Sequence, residues 1–245
     1  MGAAIIMKQT FKKIFNNKIG KKILNLRQEI KKSLAFKKSY SQTGEDLILD
    51  FFLEGKKKGF YVDIGAYHPT YLSNTKLFYK KGWKGIQIEP NKKRAKLFTK
   101  ERPDTVTLDF GVGIQESELD FYIFDADTLS TFSKESADEY CQLGHNLISV
   151  EKVLIKPLSM IFKEYVKNIQ IDILSLDVEG YDLEVLKTND WDKFRPSFIV
   201  LETIEYSKDI FDGKKLNQIY DPFLENIGYK KVADTHINTI YKDFK

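Results

Sequence analysis

Two apolar runs that each carry a carboxylate, with a glycine just past the first, narrow what this chain can fold into. Gly59-Phe-Tyr-Val-Asp63-Ile-Gly65-Ala66-Tyr-His68-Pro69 reads as a short buried strand entering a turn. Ile86-Gln-Ile-Glu89-Pro90 reads as a second strand, and its acid follows Asp63 by 26 residues, about one strand–helix–strand unit. In nucleotide-binding sheets an acid so placed accepts hydrogen bonds from both hydroxyls of a ribose. The turn holds one glycine, Gly65, whereas a pyrophosphate cradle needs several so that backbone can approach the phosphates. A ribose-bearing ligand without phosphates therefore fits better: S-adenosylmethionine rather than NAD. The single-glycine turn disfavours a nicotinamide oxidoreductase.

The rest of the chain continues the alternation. Ser41 is placed to cap a helix running through Asp50 and beyond, with Glu45 and Asp46 in its first turns. Strands are expected at Phe60–Ile64, Gly85–Glu89, Thr105–Phe110, Ile171–Leu176 and Phe198–Leu201, with helices from Lys92 and from Asp182. Glu118–Phe124 alternates like an added strand, residues 128–144 read as a loop and a helix, and Tyr229–Ala233 with Thr239–Tyr241 form closing antiparallel strands. Strands alternating with helices predict a doubly wound sheet, and in such a sheet ligands sit beyond the carboxyl ends of the strands. Asp63, Glu89, Asp109, Asp177, Glu179 and Glu202 all fall at that edge, with Glu205 just beyond. Like charges gathered there repel one another unless a cationic cofactor, a metal or a proton acceptor requires them. The competing structural roles are helix capping by Asp177 and Glu179 and, before the first crossover helix, by Ser73 or Asn74.

Further runs extend the pattern: Tyr40-Ser-Gln42-Thr-Gly44-Glu45-Asp46, Ser73-Asn74-Thr75, Gly82-Trp83, Ser130-Thr131-Phe-Ser133, Asp177-Val-Glu179-Gly180, Arg195-Pro196, Glu202 and Asn238-Thr-Ile-Tyr241. With the two strand motifs, this ordered set resembles the FkbM family of methyltransferases from about Tyr40 onward. The resemblance implies a Rossmann-like α/β fold, doubly wound, with a mostly parallel seven-stranded sheet and an antiparallel last strand. It also implies S-adenosylmethionine and methyl transfer to a hydroxyl, often on a sugar of a glycan or glycosylated small molecule. The alternative is a binding module that keeps the cofactor site without turnover.

Roles follow from the resemblance residue by residue. Gly65 and Ala66 would bring backbone to the methionine moiety, Asp63 would hold its ammonium, and Glu89 would take the ribose hydroxyls. Asp109 would reach the adenine amino group, Gln42 would cover the cofactor, and Ser73, Asn74 and Thr131 would line the cleft. Asp177, His68 and Glu179 are the candidates for the base that an alcohol nucleophile needs. A divalent ion such as Mg²⁺ is the alternative, with Asp177 and Glu202 as oxygen ligands.

Charge separates the chain in two. The segment from Lys8 to Lys38 has eleven basic residues and one acid, Glu29; it carries +10 of a net +4, so the remainder sums to −6. A mildly acidic body argues against nucleic-acid binding by the fold itself. Within residues 1–39, Phe11, Phe15, Ile19, Ile23, Leu26, Ile30 and Leu34 share one helical face opposite the lysines. This basic amphipathic helix has three open uses: packing on its own domain, lying on an anionic membrane through residues 8–38, or contacting a partner such as a second copy in a homo-oligomer. One cysteine, Cys141, excludes an intrachain disulfide. With no run of spanning length, the expectation is a cytoplasmic enzyme domain over 40–245, peripheral at the inner face of the membrane if the arm binds there.

Overall fold

The computed structural model describes residues 37–178, 180–205 and 214–245, together with Lys22. The basic arm expected over 1–39 and its amphipathic helix lie outside these residues but for Lys22 and its last three positions, as does Glu179. Among the described residues, no helix is long and apolar enough to cross a membrane.

The chain runs α1 (Glu45–Phe52), β1 (Phe60–Ile64), α2 (Lys76–Lys80), β2 (Lys84–Ile88), α3 (Lys92–Glu101), β3 (Val106–Leu108), β4 (Gly111–Val112), β5 (Ser117–Phe124), α4 (Lys134–Gln142) and β6 (Leu147–Lys156). It continues through α5 (Leu158–Ile161), β7 (Ile173–Leu176), α6 (Asp182–Lys187), β8 (Phe198–Glu202), β9 (Ile204–Glu205), β10 (Lys214–Lys215), α7 (Asn217–Asn226), β11 (Tyr229–Asp234) and β12 (Asn238–Asp243). Seven strands form the main sheet in the order β11-β12-β8-β7-β1-β2-β3. All neighbours pair in parallel except β12, which is antiparallel to both β8 and β11. This is the doubly wound α/β sheet with a reversed last strand.

Period-two alternation deals the side chains of each central strand to two cores. Val62, Ile64, Leu174, Leu176, Ile199, Leu201 and Tyr241 enter one cluster, with Leu158, Phe162, Val185 and Leu224. Tyr61, Ile173, Phe198, Val200 and Ile240 enter the other, with Leu49, Phe78 and Trp83. Strands buried on both faces must be apolar almost throughout, which is why they read as continuous hydrophobic runs. Asp63, Gln87 and Ser175 interrupt this in one row, since Asp63 is in register with both Gln87 and Ser175. The sheet therefore carries its polar cargo close to the carboxyl ends of its central strands.

Several boundaries differ from the sequence reading. Helix α1 starts at Gly44 (φ 95°) with no side-chain cap. Ser41 is not the N-cap residue, but its Oγ accepts from Asp46 N in the first turn at 3.3 Å; it also donates to the Asp46 carboxylate, as Ser39 Oγ and Tyr40 N do, at 2.7–3.1 Å. The expected strand Thr105–Phe110 shortens to β3, Val106–Leu108, and the chain beyond it forms β4, which belongs to a small sheet ordered β4-β6-β5. Strand β6 had no clear signature: Ile148, Val150 and Leu154 are exposed on its outer face while Val153 and Ile155 are buried, so apolar residues fall on both sides and blur the alternation. Helix α7 contains Pro222, a residue that ordinarily argues against a helix interior.

Close packing fixes the register of β1 against β2. A Cβ on Gly85 would lie 2.5 Å from the Tyr61 ring and 2.6 Å from the Tyr61 carbonyl oxygen, and the carbonyl cannot move without breaking the ladder. Gly85→Ala should therefore cost about 1–3 kcal/mol, in the range of overpacked cores. Urea denaturation measures it; an unchanged midpoint would show that the two strands have slack.

Candidate active site

The carboxyl ends of β1, β2, β7 and β8 open into one cavity of about 1390 Å³. Its deep wall is Asp63, Gly65, Ala66, Glu89, Asp177 and Glu202, with Asn74 from the β1–α2 loop, Gln42 ahead of α1 and Asn238 from β12. The outer wall belongs to β4, β5 and the segment into α4: Ile114, Leu119, Phe121, Thr128–Ser133, Glu139, Tyr140 and Leu143, faced by Tyr181. The volume exceeds the ~300–1,000 Å³ of an ordinary small-molecule pocket, so it has room for two ligands together.

Gly65 makes the crevice possible. Its N–H reaches the Ile88 carbonyl at 3.0 Å, as that of Ala66 does at 3.2 Å. Its φ is +69°, and a Cβ there would sit 1.8 Å from the Asp177 carbonyl oxygen. Only glycine supplies both the left-handed backbone and the missing methyl. The adjacent Tyr67 also has positive φ, at 54°. Its N–H donates to Glu89 Oε2 at 2.9 Å, and the Arg94 guanidinium lies 4.4 Å from its ring centroid.

Glu89 is almost fully buried, and Asn91 N donates to its other oxygen, Oε1, at 2.8 Å. Each carboxylate oxygen accepts two hydrogen bonds. With one position on each oxygen taken by backbone, one on each remains for a ligand. Burial pushes Glu89 up to about 7, against the Arg94 guanidinium and the two backbone N–H groups. Burial likewise pushes Asp63 up to about 6; Arg102, Thr75 and Ser175 oppose this and the Asp177 carboxylate adds to it. Asp177 is exposed at the cavity wall.

The capping reading for Ser73 or Asn74 does not hold on α2. Helix α6 is capped by Tyr181 without a side-chain bond, and it is Asp182 that accepts from Val178 N at 3.2 Å. Helix α2 begins at Thr75, also without a side-chain cap. Asn74 instead donates to Ser175 Oγ at 3.1 Å, and Ser73 accepts from Arg102 at 2.8 Å.

Three expected residues stand away from the cavity wall. Ser73 is buried behind it against Arg102. Asp109 lies past the end of β3 and is exposed, and the next residue, Phe110, lines the cavity instead. His68 is outside the lining, and its Nδ1 accepts from Thr70 N and Tyr71 N at 3.1 and 3.0 Å. Those two bonds occupy the Nδ1 lone pair, so His68 orders the loop away from the cavity wall. Of the acids suggested for a metal, Asp177 and Glu202 both reach the cavity. Among the described residues, no group of three or more His, Cys, Asp or Glu side chains is arranged to hold an ion.

Sequence reasoning gave no role to Tyr67, although it lies within the Gly59–Pro69 run, and missed Arg94 and Arg102, which have no motif of their own. It also missed how the N-terminal segment is fastened over the cavity. Glu45 accepts from Thr235 Oγ1 and Asn238 Nδ2 at 2.8 Å and from Thr43 N at 2.9 Å. Burial alone would raise the Glu45 carboxyl, but these bonds leave it below its ordinary value.

A doubly wound sheet with a reversed strand beside the last crossover, a one-glycine turn and a buried acid after β2 defines a Rossmann-like methyltransferase architecture. A family model described as the methyltransferase FkbM domain matches residues 63–244, and the chain belongs to that family. Among solved structures it is similar to a methyltransferase FkbM from Methylobacillus flagellatus KT, at 11% identity and a TM-score of 0.43. That match covers 76% of this chain and 44% of the other, so the chain spans under half the length of that protein. No curated relative matches this chain.

The buried acids carry a pH signature. Folded values of about 7 for Glu89 and about 6 for Asp63 exceed their ordinary 4.5 and 3.8. The folded state therefore holds these protons more tightly than the unfolded chain, and their contribution to stability falls as pH rises from about 4 to 7. For Glu89 this amounts to roughly 3 kcal/mol. The fall in melting temperature of the ligand-free protein between pH 5 and pH 8 should be shallower in Glu89→Gln. Identical slopes would place the titrating group elsewhere.

Proposed function

We propose that the chain is an S-adenosylmethionine-dependent O-methyltransferase that acts on a sugar hydroxyl of a glycan or glycosylated small molecule. The observation that carries this reading is Glu89. Its two backbone bonds leave one acceptor position on each oxygen, which matches the two hydroxyls of a ribose. The Gly65 turn admits close approach without a phosphate cradle, and the surrounding Asp63, Asp177 and Glu202 suit a cationic ligand. The cofactor supplies an electrophilic methyl on a sulfonium.

The chain's own residues do the rest. Glu89 and Asp63 bind and orient from the deep wall, and Gln42 and Asn238 close one side. In this reading Asp177, past the end of β7 on the cavity wall, takes the proton from the attacking hydroxyl as the C–O bond forms and the methyl–sulfur bond breaks. A positioned base contributes ~10²–10⁴-fold, whereas alignment of the reactants contributes ~7–11 kcal/mol, so a rigid cavity matters more than a tuned base. A sugar acceptor is supported by the outer wall, whose lining includes both hydroxyl residues (Thr128, Ser130, Thr131 and Ser133) and aromatic ones (Phe132, Tyr140 and Tyr181). Arg94 is the one cation among the lining residues described, which favours an uncharged acceptor over a phosphorylated one.

Two substitutions test the reading. Glu89→Ala should weaken S-adenosylmethionine binding by ~1.5–3 kcal/mol for each charged hydrogen bond removed, read by calorimetry on protein shown to be folded. Asp177→Asn should leave that affinity within about threefold while lowering methyl transfer by ~10²-fold or more. Full activity in Asp177→Asn would reject it as the base. A rate lost to EDTA and restored by Mg²⁺ would assign Asp177 and Glu202 to a cation instead.

A further inference from the structure

Arg102 has no place in the sequence reading, yet it is the most heavily bonded side chain behind the site. It lies just past α3 and is completely buried. Its Nε and Nη2 donate to the Pro69 carbonyl at 3.2 and 2.7 Å, Nη2 also to Ser73 Oγ at 2.8 Å, and Nη1 to Tyr61 Oη at 3.2 Å and Thr75 Oγ1 at 2.8 Å. The rings of Phe98, Tyr79 and Tyr61 stand 5.1–5.8 Å from the guanidinium carbon. Every one of these hydrogen-bond partners is neutral. A guanidinium buried without a carboxylate in direct contact is costly, so an anion within reach is the expected compensation. The Thr75 hydroxyl that accepts from Arg102 donates to Asp63 Oδ2 at 2.5 Å. One hydroxyl thus joins the buried cation to the buried acid at the cavity floor.

We infer that Arg102 is a positioning residue for the cofactor: through the Thr75 hydroxyl it keeps Asp63 anionic beneath the cationic end of the ligand, and through Pro69 and Ser73 it fixes the loop that carries Tyr67. This rests on the S-adenosylmethionine reading for the identity of the ligand, though not for the state of Asp63. The other charged or titratable groups that bear on Asp63 are Tyr61 on its own strand, Glu89 after β2 and Asp177 after β7, while Lys76 of α2 bears on Arg102. Both neighbouring acids oppose ionisation of Asp63, which leaves Arg102 as the charge that favours it.

Thr75→Val removes the bridge and keeps the shape; Thr75→Ser restores the hydroxyl. Calorimetric affinity for S-adenosylmethionine between pH 5 and 8.5 should fall on acidification in two steps, as Glu89 protonates near 7 and Asp63 near 6. In Thr75→Val the lower step should move up by about one pH unit, and in Thr75→Ser it should return. Titration of ¹³C-labelled aspartate carboxyls by NMR in the ligand-free protein should show the same upward movement. A Thr75→Val protein that melts earlier or binds uniformly more weakly, with its pH profile and Asp63 titration unmoved, would overturn the inference and leave Arg102 a structural residue. If S-adenosylmethionine fails to bind the wild type at any pH, the cofactor reading falls, and the carboxyl titration alone decides on Arg102: a moved Asp63 supports it and an unmoved one rejects it.

Discussion

A carbonyl oxygen that would stand 1.8 Å from any added methyl is the constraint on which the site depends. Gly65 leaves β1 against the backbone of Asp177 as the chain leaves β7, at the point where crossovers depart to opposite sides of the sheet. Because those backbones close in so tightly, the carboxyl ends of β1, β2 and β7 open onto a common space, and the acids that follow them face one cavity. A side chain at position 65 would push the two strand ends apart. Glu89 and Asp177 would then lose their shared frame even with every functional group still present.

The cavity holds more negative charge than the fold requires. Asp63 and Glu89 are buried where ionisation is disfavoured, and neither has a direct ion pair in the described structure. Such an arrangement detracts from stability at neutral pH and is offset only when something cationic or richly hydroxylated enters. Polar groups withdrawn from water in advance need no reorganisation at the moment of reaction. Instability of the empty site and readiness of the loaded one share this origin.

What was legible in the sequence is what local order determines. The Gly59–Pro69 and Ile86–Pro90 runs gave two strands and the acid-bearing edge because a parallel strand buried on both faces leaves little freedom of composition. Side-chain direction was less legible. Asp109 and Phe110 are one residue apart, and only the end of β3 at Leu108 decides which of them sees the cavity. His68 lies next to the right turn, but its ring folds back onto Thr70 and Tyr71. Arg102 was invisible because a cationic residue at the end of a lysine-rich helix reads as solvated; its burial comes from the β1–α2 loop folding over it. Strand β6 was missed because its outer face is apolar, so the period-two signal disappears.

The bonds from Thr235 and Asn238 to Glu45 join residues 190 and 193 positions apart. The segment that carries Gln42 is therefore secured by the β11–β12 hairpin. During synthesis the central strands and their acids are made well before that hairpin, so the partly made domain has an open cleft with its floor in place and its roof unattached. Closure of so long a loop also puts the finished site late in the order of folding events, after the sheet it stands on.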